Sequence, residues 1–330
     1  MIVKIKRAEC LRQRRAARSG VALAAGWRGF LVLLWAVAGC HLAALPALAQ
    51  DTAAETAARR RAALAGLPAD AAKRLFGLAE VPSTGPAQAI GGYARGCLAG
   101  ARQLPADGAG WQVMRPSRNR AWGHPVLLAT IERLAGTMPA VNGWPGLLIG
   151  DLGQPRGGPM LTGHESHQIG LDADIWLRPM PNRRLSVAER EEVSAIDVVR
   201  PDGLDIDPAS WTPQHGRLLE AVSRDPAVAR IFVNPAIKRA LCREAAGDRA
   251  WLAKVRPWWG HDYHFHVRLT CPSGDPQCHD QPPPPAGDGC GHELDWWFTD
   301  EALHPKPGRP AKPLRLSDLP PACAAVLAAP

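Results

Sequence analysis

Residues 258–269 read WWGHDYHFHVRL and combine a predicted strand with three histidines. The part from His264 to Leu269 is apolar and β-branched enough to form a strand. Side chains two residues apart on a strand point to the same face, so His264 and His266 project together while Phe265 points toward a core. Two such imidazoles can bind one metal ion, or one can bind metal while the other transfers a proton. A histidine-rich surface strand is the alternative interpretation.

A second cluster, residues 163–177 with the sequence GHESHQIGLDADIWL, supplies further polar side chains. Asp172, Asp174 and Trp176 share one face of a predicted strand, and the residues between them form an apolar face. Gly170 suits the tight bend before that strand. A loop histidine, a strand aspartate and a histidine from another strand make a His₂Asp set. Three protein ligands with an open fourth position are typical of catalytic zinc, and two imidazoles argue against magnesium or calcium.

These two motifs, G-H-x-S-H-Q-x-G-L-D-x-D-I-W and H-x-H-V-R-L, resemble those of the penicillin-insensitive murein endopeptidases, as does RIFVNPAIKRAL at residues 230–241. This family is related to D-Ala-D-Ala dipeptidases and carboxypeptidases, and the similarity runs from Gly92 to Phe298. The resemblance implies a Zn²⁺ ion on His167, Asp174 and His266. It also implies an acid–base role for His264, with His261 close by. The division of roles between His261 and His264 stays open.

The resemblance also suggests a second metal near a contact between protomers, and therefore a homodimer. Its ligands would include His164, three residues before His167 and expected to face away from the catalytic zinc, together with Asp202. Asp205 stands where another histidine is expected, which departs from the family pattern. In the alternative interpretation, His164 hydrogen-bonds within its own loop.

The N-terminal residues 1–49 have the pattern of a cleavable signal peptide, with a basic start, an apolar middle and an Ala-Leu-Ala end. This pattern predicts export to the periplasm, a mature chain that begins at Gln50, and no membrane span after the leader is removed. A membrane anchor is one alternative, although Arg28 interrupts the apolar run. A lipoprotein acylated at Cys40 is the other, because residues 37–40 resemble a lipobox.

Without the leader the chain keeps six cysteines, an even number that predicts three disulfides in an exported protein. Six cysteines allow fifteen connectivities. The family resemblance implies the pairs Cys97–Cys323, Cys242–Cys290 and Cys271–Cys278. The net charge of +8 also belongs mainly to the leader, because the remaining chain has 31 basic and 30 acidic residues. The basicity is therefore no indication of nucleic-acid binding.

Helical and strand patterns do not alternate in the mature chain, which favours a single α+β domain with a largely antiparallel sheet, flanking helices and disulfides. Residues 50–80 are predicted as a tether or peripheral helix. Residues 81–330 are predicted as the zinc peptidase domain, with a Pro/Gly-rich C-terminal segment held by disulfides. Helices are predicted to start at Pro125, after Ser186, after Thr212 and after Asn234. We expect the first of these to end at Ala135, before Gly136.

The resemblance implies a murein endopeptidase that cuts the D-alanyl–meso-diaminopimelyl cross-link between peptide stems of peptidoglycan. A D,D-carboxypeptidase or dipeptidase of the same group is the first alternative. A non-catalytic wall-binding metalloprotein is the second. The product formed from cross-linked muropeptides distinguishes the first alternative, and turnover that depends on zinc distinguishes the second.

Overall fold

Strands dominate the centre of the molecule and short helices surround them, in a computed structural model that describes residues 53–306, 308 and 312–330. The predicted leader, its cleavage site and Cys40 lie outside these residues. The strands are β1 Gln88–Gly92, β2 Arg95–Ala99, β3 Arg102–Gln103, β4 Asp107–Gly108, β5 Trp111–Val113, β6 Trp122–Gly123, β7 Leu147–Ile149, β8 Asp172–Trp176, β9 Val228–Val233, β10 Val255–Pro257 and β11 His264–Leu269.

The α-helices are α1 Ala53–Ala65, α2 Ala72–Gly77, α3 Pro125–Val141, α4 Val187–Glu192, α5 Pro213–Arg224, α6 Pro235–Glu244, α7 His292–Asp295, α8 Asp300–Leu303 and α9 Ala322–Ala328. Short 3₁₀ helices cover Pro116–Arg118, Ala250–Lys254, Trp296–Phe298 and Leu316–Asp318. None of the described helices is long and apolar enough to cross a membrane.

Seven of the described strands form the main sheet, in the order β10, β9, β11, β8, β7, β5, β4. The β10/β9 and β5/β7 pairs are parallel, and the other neighbours are antiparallel. The α+β class with a largely antiparallel sheet is therefore confirmed. The two motifs of the sequence become neighbours, since β8 and β11 pair at the centre of this sheet.

The hydrophobic core packs against this strand pair. Phe265 and Val267 of β11 are buried in one cluster with Leu218, Leu219 and Val222 of α5. Phe265 is on the face opposite the histidines, as strand alternation predicts. Because every residue of β8 and β11 is buried, their polar side chains must find partners inside the protein.

Helix starts follow the predicted capping signals. Ser186 and Glu189 form a capping box at α4, and the side chain of Asn234 accepts a hydrogen bond from Ala236 at the start of α6. The predicted end of α3 is wrong, because the helix continues through Gly136 to Val141. A glycine costs a helix about 1 kcal/mol relative to alanine. Burial of Met138 beyond it contributes about 1.5–3 kcal/mol, which is larger.

The stretch before Val81 forms α1 and α2. Ala72 and Phe76 of α2 are buried with Leu319, Cys323 and Val326 near the C-terminus. The second of the two helices is therefore part of a packed cluster that joins the beginning and the end of the described chain.

Three disulfides join the same cysteine pairs that the family resemblance implies: Cys97–Cys323, Cys242–Cys290 and Cys271–Cys278. Two of them hold the Pro/Gly/Asp-rich segment 271–291. Polar anchors add to them, since Asp275 accepts a hydrogen bond of 2.7 Å from the backbone of Ala89. A segment with so few apolar residues cannot be ordered by burial alone, and the disulfides supply the missing constraint.

Candidate metal centre

The site is built on the β8/β11 ladder. Antiparallel pairing sets His266 directly opposite Asp174 and Arg268 opposite Asp172. Cross-strand partners have Cβ atoms about 4.5–5.5 Å apart, so each imidazole or guanidinium meets a carboxylate. The ladder thus converts two motifs that lie about ninety residues apart in sequence into one polar cluster inside the sheet.

His167 reaches the same cluster from the loop before β8. Its backbone has a φ of +66°, in the left-handed region that non-glycine residues seldom adopt. Its N–H donates a 3.0 Å hydrogen bond to Oδ2 of Asp172, which holds this conformation. Gly170 has a φ of +70°, and a Cβ there would lie 2.3 Å from Leu98. The predicted need for glycine at this bend is therefore explained by both conformation and space.

Histidine nitrogens converge on the carboxylate of Asp174. Its Oδ1 lies 3.4 Å from Nε2 of His167 and 3.5 Å from Nδ1 of His266, and its Oδ2 lies 3.4 Å from Nε2 of His164. Ligand atoms of His164, His167 and Asp174 all lie within 4.8 Å of one another. One cation can contact several of these atoms.

Hydrogen bonding leaves part of this cluster unsatisfied. Both ring nitrogens of His167 and Oδ1 of Asp174 are buried without a hydrogen-bond partner. Leaving a buried polar group unpaired costs about 1–3 kcal/mol, and two residues carry this cost side by side. A metal cation would satisfy Oδ1 of Asp174 and one ring nitrogen of His167. Imidazole nitrogens with one carboxylate are a donor set that suits zinc.

Asp172 and Arg268 orient His266. Nε2 of His266 lies 2.7 Å from Oδ1 of Asp172, and Nε of Arg268 lies 2.7 Å from the same oxygen. Burial opposes the charge on Asp172, but Arg268 and the neighbouring histidines hold the pKa of this carboxyl below its usual value. An ionised Asp172 makes Nε2 of His266 the protonated nitrogen, so that Nδ1 is free on the side of Asp174.

His264 lies beside the cluster, with its Nε2 3.7 Å from Oδ1 of Asp174. Burial lowers the pKa of His264 to about 4, although the carboxylate of Asp174 acts in the opposite direction. Its Nδ1 has no hydrogen-bond partner. At neutral pH this imidazole is therefore uncharged and has a nitrogen available to accept a proton.

His261 is the other histidine next to the cluster. Its ring centroid is 4.9 Å from that of His264, and its Nδ1 is 2.8 Å from the carbonyl of Trp259. A carbonyl oxygen can only accept, so Nδ1 of His261 carries the hydrogen and its Nε2 is an acceptor in the neutral ring. Burial lowers the pKa of His261.

His164 occupies a different place from the one expected. Its Nε2 is 3.0 Å from Asp151, outside its own loop, and it also faces Asp174. Burial opposes a charge on His164, but Asp174 and Asp151 outweigh it and raise the pKa. The expectation that His164 faces away from His167 and Asp174 is wrong, because these two carboxylates draw the ring into the cluster.

Asp202 is not brought to this cluster. Its exposed carboxylate forms an ion pair of 3.0 Å with Arg200 and accepts a hydrogen bond from the backbone of Leu204. Asp205 pairs with Arg243. The two aspartates thus have partners of their own, Arg200 within the same loop for Asp202 and Arg243 on α6 for Asp205.

Sequence reasoning missed Asp151, Arg120 and the role of Arg268. Asp151 is buried and lies 2.9 Å from Arg120 and 3.3 Å from Arg118. One signal was available, because this aspartate follows the apolar strand β7 directly after Gly150. Nothing in the sequence indicated that β7 lies next to β8 in the sheet. This neighbourhood determines which residues of the cluster Asp151 meets.

A cavity of about 570 Å³ opens onto the cluster. His164, Asp174, His261 and His264 line it, together with Tyr263. His167 and His266 are not among the lining residues and are almost completely buried. Three of the cluster's imidazoles thus reach the cavity, and the two others approach Asp174 from inside the protein.

Comparison with known proteins identifies the family. A family model described as penicillin-insensitive murein endopeptidase matches residues 89–328. Proteins of that name from Yersinia enterocolitica, Klebsiella pneumoniae and Haemophilus influenzae are 48%, 47% and 49% identical to this chain. These alignments cover 74%, 74% and 69% of this chain and 87%, 88% and 78% of the relatives. The chain therefore belongs to the penicillin-insensitive murein endopeptidase family.

Proposed function

We propose that this protein is a zinc-dependent peptidase that hydrolyses the D-alanyl–meso-diaminopimelyl bond between two peptide stems of peptidoglycan. The observation that carries the proposal is the group of unsatisfied ligand atoms on His167 and Asp174, where Asp174 and the neighbouring His264 line one cavity. The names of the relatives, all murein endopeptidases, supply the substrate class.

We assign the zinc to His167, Asp174 and His266, and note that His164 offers a further ligand atom close to those of His167 and Asp174. When bound there, zinc supplies Lewis-acid chemistry, which polarises a carbonyl and acidifies water. Asp172 keeps Nδ1 of His266 directed at Asp174. A separate second metal with Asp202, and a homodimer built around it, remain hypotheses that metal analysis and sedimentation can test.

His264 is the proposed general base and acid. Its uncharged imidazole accepts a proton from the attacking water and delivers it to the amine that leaves. The hydroxyl of the water joins the acyl carbon, and the C–N bond breaks. His261 lies at the same cavity, and its Nε2 is free to contact the substrate. A group in the position of His264 contributes roughly 10²–10⁴-fold to the rate.

We further propose that the enzyme works in the periplasm after removal of residues 1–49. The support is the signal-peptide pattern of the leader and the three disulfides, which form in oxidising compartments. Sequencing the N-terminus of the exported protein should give Gln50 or a close neighbour. An acylated Cys40 would refute the cleavage site and leave the activity untouched.

The substrate test uses a purified cross-linked muropeptide dimer and mass spectrometry of the products. Two monomers are expected from an endopeptidase, whereas free D-alanine would show a carboxypeptidase. Activity should be lost with a chelator and return with added zinc. Absence of any turnover with zinc would favour the non-catalytic wall-binding alternative.

Two variants make this test specific. His264→Ala should keep its zinc and lose turnover by roughly 10²–10⁴-fold. His304→Ala is the matched control, because this histidine is exposed and lies outside the cavity lining. Loss of zinc from His264→Ala would make His264 a ligand and would overturn its assignment as the base.

A further inference from the structure

Four tryptophans form a continuous surface beside the cavity: Trp258, Trp259, Trp296 and Trp297, here called the tryptophan cluster. Ring centroids are 5.6 Å apart for Trp258 and Trp259, 4.7 Å for Trp259 and Trp297, and 5.1 Å for Trp296 and Trp297. Two come from the loop before β11 and two from the 3₁₀ helix after α7. Residues far apart in sequence thus build one aromatic surface.

The rings are exposed to an extent that core packing does not explain. Trp258 is 49% exposed, Trp259 42% and Trp296 41%. Isolated exposed apolar side chains are ordinary, but contiguous apolar patches on monomeric proteins often mark binding sites. The other large apolar residues exposed in the described part of the chain are aliphatic. The cluster is therefore distinctive in both size and chemistry.

The cluster is continuous with the proposed active site. Trp259 and His261 both line the cavity. On the other side, the ring of Trp258 lies 6.1 Å from that of Phe232, which lies 5.3 Å from that of His266. Two ring contacts thus connect the cluster to a proposed zinc ligand. An extended stem of four residues, at 3.3–3.6 Å each, spans roughly 13 Å. This length is similar to the two centroid distances from Trp258 through Phe232 to His266 taken together.

The exposed area is too small for a second protein. A tryptophan presents about 250 Å² at most, so three rings at these exposures offer at most about 330 Å², against about 800 Å² per partner in a stable interface. On the side of Trp296 and Trp297 the exposed charges of the adjoining helices are acidic (Asp295, Asp300 and Glu301), whereas arginines line the cavity on the side of Trp259. Acidic neighbours repel anionic lipid surfaces and carboxylate groups. A small, neutral ligand with an apolar face fits both facts.

We propose that the tryptophan cluster is a subsite for N-acetylated sugar rings of the glycan strand that carries the cleaved stem. The C–H face of a pyranose can lie against an indole, which removes apolar surface of both from water, while the hydroxyl edge stays hydrated. This inference rests on the proposed function, because a glycan is near the scissile bond only in peptidoglycan.

The test compares two substrates that differ only in sugar: a cross-linked peptide dimer with its disaccharides attached, and the same dimer with them removed. Trp296 is the residue to change, because it belongs to the cluster and does not line the cavity. For Trp296→Leu the fall in kcat/KM should be about tenfold larger on the sugar-bearing substrate, and should appear mainly in KM. Trp296→Phe, which keeps an aromatic face, should retain most of the wild-type kcat/KM on the sugar-bearing substrate.

Val187→Ala is the control, because Val187 is 71% exposed and lies outside the cluster and the cavity; it should lose nothing on either substrate. If Trp296→Leu lowers kcat/KM equally on both substrates, or on neither, the proposal is overturned. A dimer of the wild-type chain in sedimentation that Trp296→Leu abolishes would overturn it as well.

Binding without turnover separates this inference from the proposed function. Titration of the wild type with a tetramer of N-acetylglucosamine should change tryptophan fluorescence, and Trp296→Leu should weaken the apparent affinity about tenfold. If the wild type cleaves neither substrate, the proposed function fails, yet the titration still tests the sugar site. A titration without any response would overturn the sugar site, whatever the activity.

Discussion

Strand β11 is followed closely in the chain by the segment 271–291, but the β8/β11 strand pair and this segment are held by different forces. The strand pair is fully buried and is fixed by backbone pairing and by the Asp172, His266 and Arg268 contacts. The segment is rich in proline, glycine and aspartate and is fixed by two disulfides and polar anchors. The residues of the candidate metal centre thus lie on the strand pair, which is positioned by burial. The disulfides hold the segment 271–291, which burial alone cannot order.

The largest effect should come from the buried region. His167→Ala, Asp174→Ala and His266→Ala should each abolish turnover and lower the zinc content, because each removes a proposed ligand. Metal analysis of purified protein, together with a turnover assay, checks both. Asp248→Ala is the control and should keep both, since Asp248 pairs with Arg224 at the surface. Full zinc and full activity in all three variants would contradict the ligand set.

The disulfides should affect stability without affecting zinc. Cys242 and Cys290 are 48 residues apart, and Cys271 and Cys278 are 7 apart. In the chain-entropy model, replacing the first pair by serine costs about 4 kcal/mol and the second about 2 kcal/mol. Urea unfolding measures both values. If the zinc affinity of the folded Cys271→Ser/Cys278→Ser protein falls as well, the two regions are not independent.

Asp172→Asn should weaken zinc binding roughly 10- to 100-fold, as substitution of groups that orient metal ligands usually does. Asparagine no longer holds the proton on Nε2 of His266, and Nδ1 then loses its fixed direction. Competition with a chelator at low temperature, where the variant stays folded, measures the affinity. Arg268→Gln is the comparison, because it leaves the bond between Asp172 and His266 in place and should cost less. Equal affinities for Asp172→Asn and wild type would rule out the orienting role.

Lys238 anchors the covalently held segment and should make the stability of the protein depend on pH. Its Nζ donates hydrogen bonds to the carbonyls of Leu252 and Asp288, and burial, with Arg256 nearby, lowers its pKa to about 7. Unfolded lysine has a pKa of about 10.4. Between these values the unfolded chain binds more protons, so stability rises with pH, by up to about 1.4 kcal/mol per unit.

Below pH 7 the full cost of charging the buried amine is present, and above pH 10.4 it is gone. Lys238→Met should remove this slope. Unfolding free energies of variant and wild type at pH 7, 8 and 9, with equal zinc, measure the difference. Parallel pH curves for the two proteins would show that Lys238 is charged and well solvated in the folded state.

The sequence predicted well the parts that depend on local order. Strand β11 has the predicted limits, and the capping signals before α4 and α6 mark their starts, because alternation and capping act within a few residues. The end of α3 was predicted wrongly, since burial of Met138 depends on distant neighbours. His164 was misplaced for the same reason. Its orientation is set by Asp151 and Asp174, and only the order of strands in the sheet reveals that these carboxylates meet.

The Cys97–Cys323 bond, which spans 226 residues, has a mechanical consequence. Covalently, residues 97–323 form a closed ring, which residues 53–96 precede and residues 324–330 follow. A force that pulls on the two chain ends passes through this bond and bypasses the ring, so the strands that carry the metal ligands stay unloaded. For an enzyme that works on the stress-bearing polymer of the cell wall, the site would be shielded from tension transmitted through its own ends.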